Sequence, residues 1–145
     1  MRIRYLAVAL TLASWPAIAC ATRSLSPEAL PLDRVECARC RMLISAESGG
    51  GEIVSATEDT RFYDDIGCLA ADWAVRHGEA RAFVRIAGGR WVDAQAASFA
   101  QPAGARTAMG SGIAAFPTAA DARAADRTGR ALTVGDVVRL TGTKR

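Results

Sequence analysis

Histidine is nearly absent from this sequence of 145 residues, which contains only His77. A closed tetrahedral zinc site is therefore hard to build, because few cysteines stand beside this poorly placed imidazole. A surplus of charge is also missing, since 18 Lys and Arg residues face 15 Asp and Glu residues. Arg2 and Arg4 lie in a segment that we expect to be removed, so the remaining balance gives no case for nucleic-acid binding. The length allows one modest core and excludes a large enzyme.

Long apolar runs are lacking as well. The run from Tyr5 to Ala13 is shorter than the roughly 20 apolar residues that cross a bilayer, and no later stretch is long enough for a membrane helix. The basic residues Arg2 and Arg4 before this run, and the small residues before Cys20, are typical of a bacterial secretory signal. We expect residues 1–19 to be a lipoprotein signal peptide and Cys20 to be acylated. Ordinary cleavage nearby is the alternative, because Ala17 stands where a lipobox usually carries Leu.

The segment after the signal is predicted to be a tether. Residues 20–34 contain Pro27 and Pro31, which favour an extended, lipid-anchored linker. Ala21 follows Cys20 in place of Asp and favours the outer membrane. We therefore expect the protein on the periplasmic side of a bacterial membrane, attached through its lipid.

The number of cysteines is odd once Cys20 is acylated. Cys37, Cys40 and Cys68 remain, and they cannot all pair within one chain in an oxidising compartment. A leftover thiol in an exported protein indicates metal binding or redox chemistry. A structural disulfide between Cys37 and Cys40 stays open, and so does a role for Cys68 as a small buried apolar residue.

Two thiols and a thioether stand within the short stretch from Cys37 to Ile44. Such soft ligands select soft metals such as Cu(I). If residues 40–44 form a strand, Cys40, Met42 and Ile44 share one face. Cys37 would then lie in the entry loop and fold over the first two sulfurs.

Hydrophobic alternation and turn residues predict an α+β fold with antiparallel sheet. Extended segments are predicted at 41–46 and 52–57, as a hairpin around Gly49–Gly51, and at 61–63, 81–87, 90–93, 113–116 and 131–134. Helices are predicted at 66–77 after an N-cap at Asp64 or Asp65, and at 119–127 after Thr118. We expect helical turns at 94–99 and a short helical or extended segment at 135–140.

The order of these segments suggests two similar ββαβ-type halves, residues 35–89 and 90–145, with helices packed on one face of small sheets. Phe62-Tyr63-Asp64 precedes one predicted helix and Phe116-Pro117-Thr118 precedes the other. Trp73 and Trp91 are expected in the core.

Four sequence motifs occur together between about residues 35 and 127. They are the Cys-x-x-Cys-x-Met of residues 37–42, Phe-Tyr-Asp-Asp-Ile-Gly-Cys at 62–68, Trp-Val-Asp-Ala at 91–94 and Met-Gly-Ser-Gly-Ile-Ala-Ala-Phe at 109–116. In this combination and order the sequence resembles the NosL family of periplasmic lipoproteins, which are regarded as copper chaperones for nitrous oxide reductase.

The resemblance implies Cu(I) as cargo and delivery rather than catalysis. The family's ligands fall on Cys37, Cys40 and Met42, and its later Met-Gly falls on Met109-Gly110. Expected partners are the maturation machinery of nitrous oxide reductase, including a membrane transporter complex, and a homodimer stays open.

The sequence departs from the family in three places, with Arg41 for a usual Gly, Thr107-Ala108 for Thr-Pro and Leu69 for a common Met. Arg41 places a cation beside the site, where it weakens metal binding or lowers the thiol pKa.

Each candidate has another interpretation. Met42 and Met109 also suit core or loop filling. His77 suits the end of a helix, where a cation is favourable, and is a weaker ligand candidate, as is Cys68. Asp64 and Asp65 are expected as caps or hydrogen-bond acceptors rather than ligands.

The main rival function is a thiol–disulfide oxidoreductase that uses Cys37 and Cys40. Its redox motif normally opens a helix after a strand, whereas here a strand and a glycine turn are predicted to follow.

Overall fold

The computed structural model describes residues 24–76 and 79–142. Its small antiparallel sheets and three helices confirm the predicted α+β class. The strands are β1 Gly51–Ser55, β2 Arg61–Tyr63, β3 Ala80–Arg85, β4 Trp91–Asp93, β5 Ser98–Ala100 and β6 Ala114–Phe116, and the helices are α1 Ile66–Trp73, α2 Ala119–Ala125 and α3 Val134–Gly142. The signal peptide, Cys20 and His77 lie outside the described residues. Within the described part, no helix has the length and apolar character that a membrane crossing requires.

The larger sheet has the strand order β2-β1-β3-β4, with every neighbour antiparallel. Gly51 on β1 lies opposite Tyr63 on β2 and Val84 on β3, so these residues share one face of the sheet. Helix α1 packs on this face. The opposite face carries Glu52 and its cross-strand neighbour Phe83.

The predicted hairpin around Gly49–Gly51 is wrong. β1 pairs with β2 and β3 and forms no ladder with residues 41–46. A Cβ at Gly51 would collide with the side chain of Leu69 on α1 and would lie 2.6 Å from the carbonyl oxygen of Phe83. Glycine is therefore required here for close approach of the helix to the sheet, and not for a turn between two strands.

The smaller sheet pairs β5 with β6, and α2 packs against both strands. The predicted helical turns at 94–99 are wrong at their end, because Ser98 already belongs to β5 and Phe99 is fully buried. The predicted strand at 131–134 is reduced to one antiparallel bridge between Leu132 and Phe99. α3 begins at Val134 and packs against α1, which removes the following residues from any sheet.

The division into two similar halves stays a prediction. β4 belongs to the predicted second half, residues 90–145, yet it pairs with β3 and completes the larger sheet. The larger sheet therefore crosses the expected boundary after Gly89.

Both predicted helix caps are confirmed. The Asp65 side chain accepts a hydrogen bond from the backbone N–H of Gly67, and the Thr118 side chain accepts one from that of Asp121. α1 ends at Trp73, earlier than the predicted residue 77. The caps fix where each helix begins because they satisfy backbone N–H groups that lack partners within the helix.

The described part of the predicted tether is packed against the larger sheet. Leu30 and Leu32 are partly buried against the core. The backbone N–H of Glu28 donates to the buried carboxylate of Glu52 at 2.9 Å, and Arg81 donates to the carbonyl oxygen of Leu25 at 3.3 Å. The folded part therefore includes residues of the predicted tether, because Leu30 and Leu32 pack against the core.

Candidate metal site

The Cys37–Met42 segment forms a tight loop and not the expected strand. The backbone N–H of Cys37 donates to the carbonyl oxygen of Met42 at 2.8 Å, and that of Arg41 donates to the carbonyl oxygen of Cys37 at 2.9 Å. Arg41 has a φ of 66°, in the left-handed region that glycine favours. Only an isolated bridge between Glu36 and Leu43 remains of the predicted extended pairing. The expected alternation of residues 40–44 across a strand is therefore wrong.

This loop reverses the expected depths of its two thiols. Cys37 is fully buried in the core, whereas Cys40 is partly exposed. The backbone N–H of Ala38, between them, donates to the carbonyl oxygen of Phe62 at 2.8 Å and fixes the loop to β2. Cys37 therefore lies on the buried side of the loop instead of folding over the other sulfurs.

The tight loop brings its thiols to two side chains at the start of α1. Asp64 lies between β2 and α1, and Cys68 lies in the first turn of the helix. One ligand atom from each of Cys37, Cys40, Asp64 and Cys68 lies within 4.8 Å of all the others. All three cysteines are free thiols. Such a cluster could hold a metal ion, because three sulfurs and one carboxylate oxygen, all of them metal-ligand atoms, lie this close together.

The protein environment raises the pKa of two thiols of the cluster, Cys40 and Cys68. Burial raises the pKa of Cys40 to about 11, and the neighbouring Cys37 and Asp64 act in the same direction. Burial also raises the pKa of Cys68, and nearby Cys37 and Cys40 add to the effect. The main cause is that burial removes the water that would stabilise a thiolate, and repulsion between neighbouring negative charges adds to the effect. A cation among these atoms would relieve that repulsion, so the donor set fits a positively charged metal.

Sequence reasoning placed Asp64 outside the ligand set. The structure puts its carboxylate in the cluster, because β2 and the first turn of α1 meet there. Asp64 precedes Cys68 by four residues across a strand-to-helix junction, and this spacing was the available signal. Cys68, a weaker candidate, is likewise brought to Cys37 and Cys40.

The two predicted thioether ligands lie at separate openings beside the cluster. Met42 is 46% exposed and lines a groove of about 690 Å³ that also contains Asp64. Met109 is 52% exposed and lines a cleft of about 360 Å³ that also contains Cys68. Each opening therefore joins one exposed methionine to one member of the cluster. Coordination by either methionine stays a prediction.

Asp65 links the loop that contains Met109 and Ser111, called the Met109 loop below, to helix α1, which carries Cys68. Its Oδ1 accepts from the N–H of Gly67 at 2.6 Å, and its Oδ2 accepts from the N–H of Met109 at 2.9 Å. Burial acts against ionisation, but hydrogen bonds from Thr107, Ser111 and these backbone groups hold the pKa of Asp65 below its ordinary value. A charged carboxylate therefore holds two distant segments together.

The Met109 loop approaches α1 so closely that a glycine is needed at the contact. A Cβ at Gly67 would lie 2.9 Å from the Cβ of Ser111 and 2.9 Å from Oδ1 of Asp65. Any larger residue would push the loop away, and with it the thioether of Met109.

Arg41 does not place its charge in the cluster. Its side chain is exposed, and its guanidinium lies 3.3 Å from the carboxylate of Glu36. The pKa of the adjacent Cys40 is raised rather than lowered. The expected electrostatic effect of Arg41 on the thiol is therefore wrong, because the guanidinium is directed towards a surface carboxylate.

A second arginine fixes the loop from its other side. Arg39 donates to Asp72 on α1 at 3.1 Å, and the hydroxyl of Tyr63 donates to the other oxygen of the same carboxylate at 3.0 Å. The loop is thus attached both to β2 and to α1, the two elements that flank Asp64.

The donor count differs from the one that the sequence allowed. Asp64 supplies a fourth ligand atom beside three thiols, so the number of donors does not by itself exclude zinc. His77, the weaker candidate, lies outside the described residues. No protein-family model, no curated protein and no solved structure matches the chain.

Proposed function

We propose that this protein binds Cu(I) as cargo through Cys37, Cys40 and Cys68 and delivers it for the maturation of nitrous oxide reductase or a related copper enzyme. The observation that carries the proposal is the convergence of these three sulfur atoms, together with a carboxylate oxygen, within 4.8 Å of one another. The protein then acts as a periplasmic chaperone and not as an enzyme.

The donor chemistry favours Cu(I) over zinc. Soft sulfur ligands select Cu(I), and this d10 ion is satisfied by two or three of them. Zinc in structural sites takes four ligands, and here the fourth would be the carboxylate of Asp64. That carboxylate already accepts the thiol hydrogen of Cys40, a contact that suits a neighbour of the site as well as a ligand.

Delivery requires that the ion can leave. Cys40 is partly exposed, and the two exposed methionines, Met42 and Met109, stand at the openings on either side. A thioether carries no charge and needs no deprotonation, so it binds Cu(I) more weakly than a thiolate. Stepwise exchange from Cys37 and Cys68 to Cys40 and then to an outer thioether gives the ion a route towards a partner. The resemblance to the NosL family supports the same role.

The rival oxidoreductase function is less well supported. A nucleophilic cysteine needs a lowered pKa and access to its substrate. Cys37 is fully buried, and the pKa of Cys40 is raised to about 11. Neither thiol therefore has the properties of an attacking group.

Anaerobic Cu(I) titration of the purified protein tests the proposal. We expect one Cu(I) per chain, with affinity lowered at least about tenfold in Cys40→Ser and Cys68→Ser, since each removes a thiolate. Met42→Ile and Met109→Ile test the predicted thioethers, with smaller losses expected. Unchanged affinity in all four variants would overturn the site. Reduction of insulin disulfides by the wild-type protein would favour the oxidoreductase instead.

A further inference from the structure

One opening beside the cluster is lined by positive charge. The groove of about 690 Å³ contains three arginines, Arg85, Arg90 and Arg106, and Asp64 is the only acidic residue among its described lining. By contrast, the smaller cleft around Met109 has one arginine and one aspartate in its described lining. The two openings therefore differ in electrostatic character, and the larger one attracts anionic groups.

The arginines differ in how firmly they are held. Arg85 donates to the carbonyl oxygen of Gly89 at 2.9 Å, and its guanidinium lies 5.2 Å from the centre of the Trp91 ring. It is a fixed cation within the groove. Arg90 and Arg106 are exposed, and in the described part of the chain no ion pair occupies either of them.

Exposed apolar surface lies in the same groove. Met42 and Leu43 are about half exposed, although both are large apolar residues. A small inorganic anion would leave this surface bare, and a flat lipid surface would not enter a concave groove. A protein segment with acidic and apolar side chains covers both features at once.

We propose that this groove, lined by Met42, Leu43, Asp64, Arg85, Arg90 and Arg106, is the docking surface for an acidic segment of the protein that exchanges Cu(I) with the chain. The inference rests on the proposed function and names the kind of partner that this site serves. Because Asp64 belongs both to the groove and to the cluster, a segment seated there lies beside the cargo. Met42 is the thioether on that side and the first outer ligand that the partner would meet.

Fluorescence anisotropy with a labelled peptide rich in Asp, Glu and Leu tests the surface in the copper-free full chain. A peptide with Asn and Gln in the acidic positions is the control ligand. We expect the double variant Arg90→Glu with Arg106→Glu to weaken binding of the acidic peptide about tenfold at low salt, since repulsion replaces attraction. The double variant Arg123→Glu with Arg127→Glu makes the same change of charge at two exposed residues, one in α2 and one just after it, and should change binding less than about twofold.

Several results would overturn the docking surface. These are equal binding of the two peptides, unchanged binding by the double variant, displacement of the peptide by inorganic phosphate, preferential binding of phosphatidylglycerol vesicles, or self-association of the chain through the groove in sedimentation. The Cu(I) titration of the same variants separates this result from the proposed function. Retained Cu(I) affinity with lost peptide binding supports the surface. Failure of the wild-type chain to bind Cu(I) overturns the proposed function, while the peptide measurement still decides whether the groove takes an acidic segment.

Discussion

The thiol of Cys40 donates a hydrogen bond to the carboxylate of Asp64, with 3.4 Å between Sγ and Oδ1 and 3.6 Å between Sγ and Oδ2. This contact contributes to the raised pKa of Cys40, because it stabilises the protonated thiol. It also places a hard oxygen donor beside soft sulfur donors. The effect of removing that oxygen therefore depends on which metal the cluster holds.

The variant Asp64→Asn should separate Cu(I) from zinc. We expect Cu(I) affinity to change less than about threefold, because sulfur ligands suffice for this ion. Zn²⁺ affinity should fall by at least about tenfold, because a tetrahedral site loses its fourth, anionic ligand. Competition titrations with a chromophoric chelator for each metal measure both values.

Asp59→Asn is the matched control, because Asp59 is exposed and lies in the loop before β2. It should change neither affinity. A large loss of Cu(I) affinity in Asp64→Asn alone would make the carboxylate a Cu(I) ligand and would contradict a site made of sulfur only.

Arg41→Gly should stabilise the fold slightly without changing Cu(I) affinity. The φ of 66° at Arg41 strains any residue with a Cβ. Relief of that strain is opposed by the greater freedom of glycine in the unfolded chain, so we expect a gain of about 0.5 kcal/mol in the free energy of unfolding. Chemical denaturation measures it, and a Cu(I) titration checks the site.

Arg41→Asn separates backbone strain from charge, since asparagine tolerates the left-handed region better than most residues and is neutral. It should retain wild-type Cu(I) affinity. A rise in Cu(I) affinity in both variants would show that the guanidinium does oppose the metal, despite its contact with Glu36.

The sequence was informative about chemistry and less so about local geometry. Soft ligands at Cys37 and Cys40, and an odd number of thiols after Cys20, indicated metal binding or redox chemistry near the Cys37–Met42 segment. The alternation of Cys40 and Met42 failed because a left-handed residue between them turns the chain. A single residue with positive φ leaves no trace in a hydrophobic pattern.

Asp64 was missed for a different reason. Its place in the cluster depends on the tertiary contact between the Cys37–Met42 loop and the junction of β2 with α1, and periodicity within one segment does not report such contacts. The packing of Leu30 and Leu32 was missed in the same way, because two prolines suggested a free linker. Cap residues were predicted correctly, since a cap is a local interaction.

The buried carboxylate of Glu52 should make the stability of the fold depend on pH. Its Oε2 has no hydrogen-bond partner among the described residues, and burial raises its pKa from 4.5 to about 7. The folded state therefore holds a proton that the unfolded state releases between these values. The contribution of Glu52 to the free energy of unfolding is therefore fully present below pH 4.5 and is lost as the pH rises through about 7. The loss amounts to roughly 3 kcal/mol.

Glu52→Gln should remove this fall, because the amide cannot ionise and its oxygen can still accept from the N–H of Glu28. Denaturant unfolding across that pH range measures the difference. Glu79→Gln, at an exposed position before β3, is the control and should follow the wild type. Parallel pH profiles for wild type and Glu52→Gln would contradict a role for Glu52.

Asp65→Ala should destabilise the fold more than the loss of an ordinary helix cap. The substitution removes the acceptor for the N–H of Gly67 and also that for the N–H of Met109. We expect a loss of about 2–3 kcal/mol in the free energy of unfolding, since a lost cap costs about 1 kcal/mol and an unsatisfied buried donor adds about as much again.

Thr118→Ala is the comparison, because Thr118 caps α2 and, among residues 24–76 and 79–142, its side chain is bonded only within the first turn of that helix. It should cost about 1 kcal/mol.

The pH dependence of the free energy of unfolding gives a second test of the role of Asp65. Because the folded pKa of Asp65 is lowered, its contribution is present above the ordinary value of 3.8 and disappears as the pH falls below it. Equal losses in Asp65→Ala and Thr118→Ala, together with unchanged hydrogen exchange of the Met109 amide, would show that the carboxylate is only a cap. A larger loss with faster exchange at Met109 would establish Asp65 as the group that holds this thioether beside the cluster.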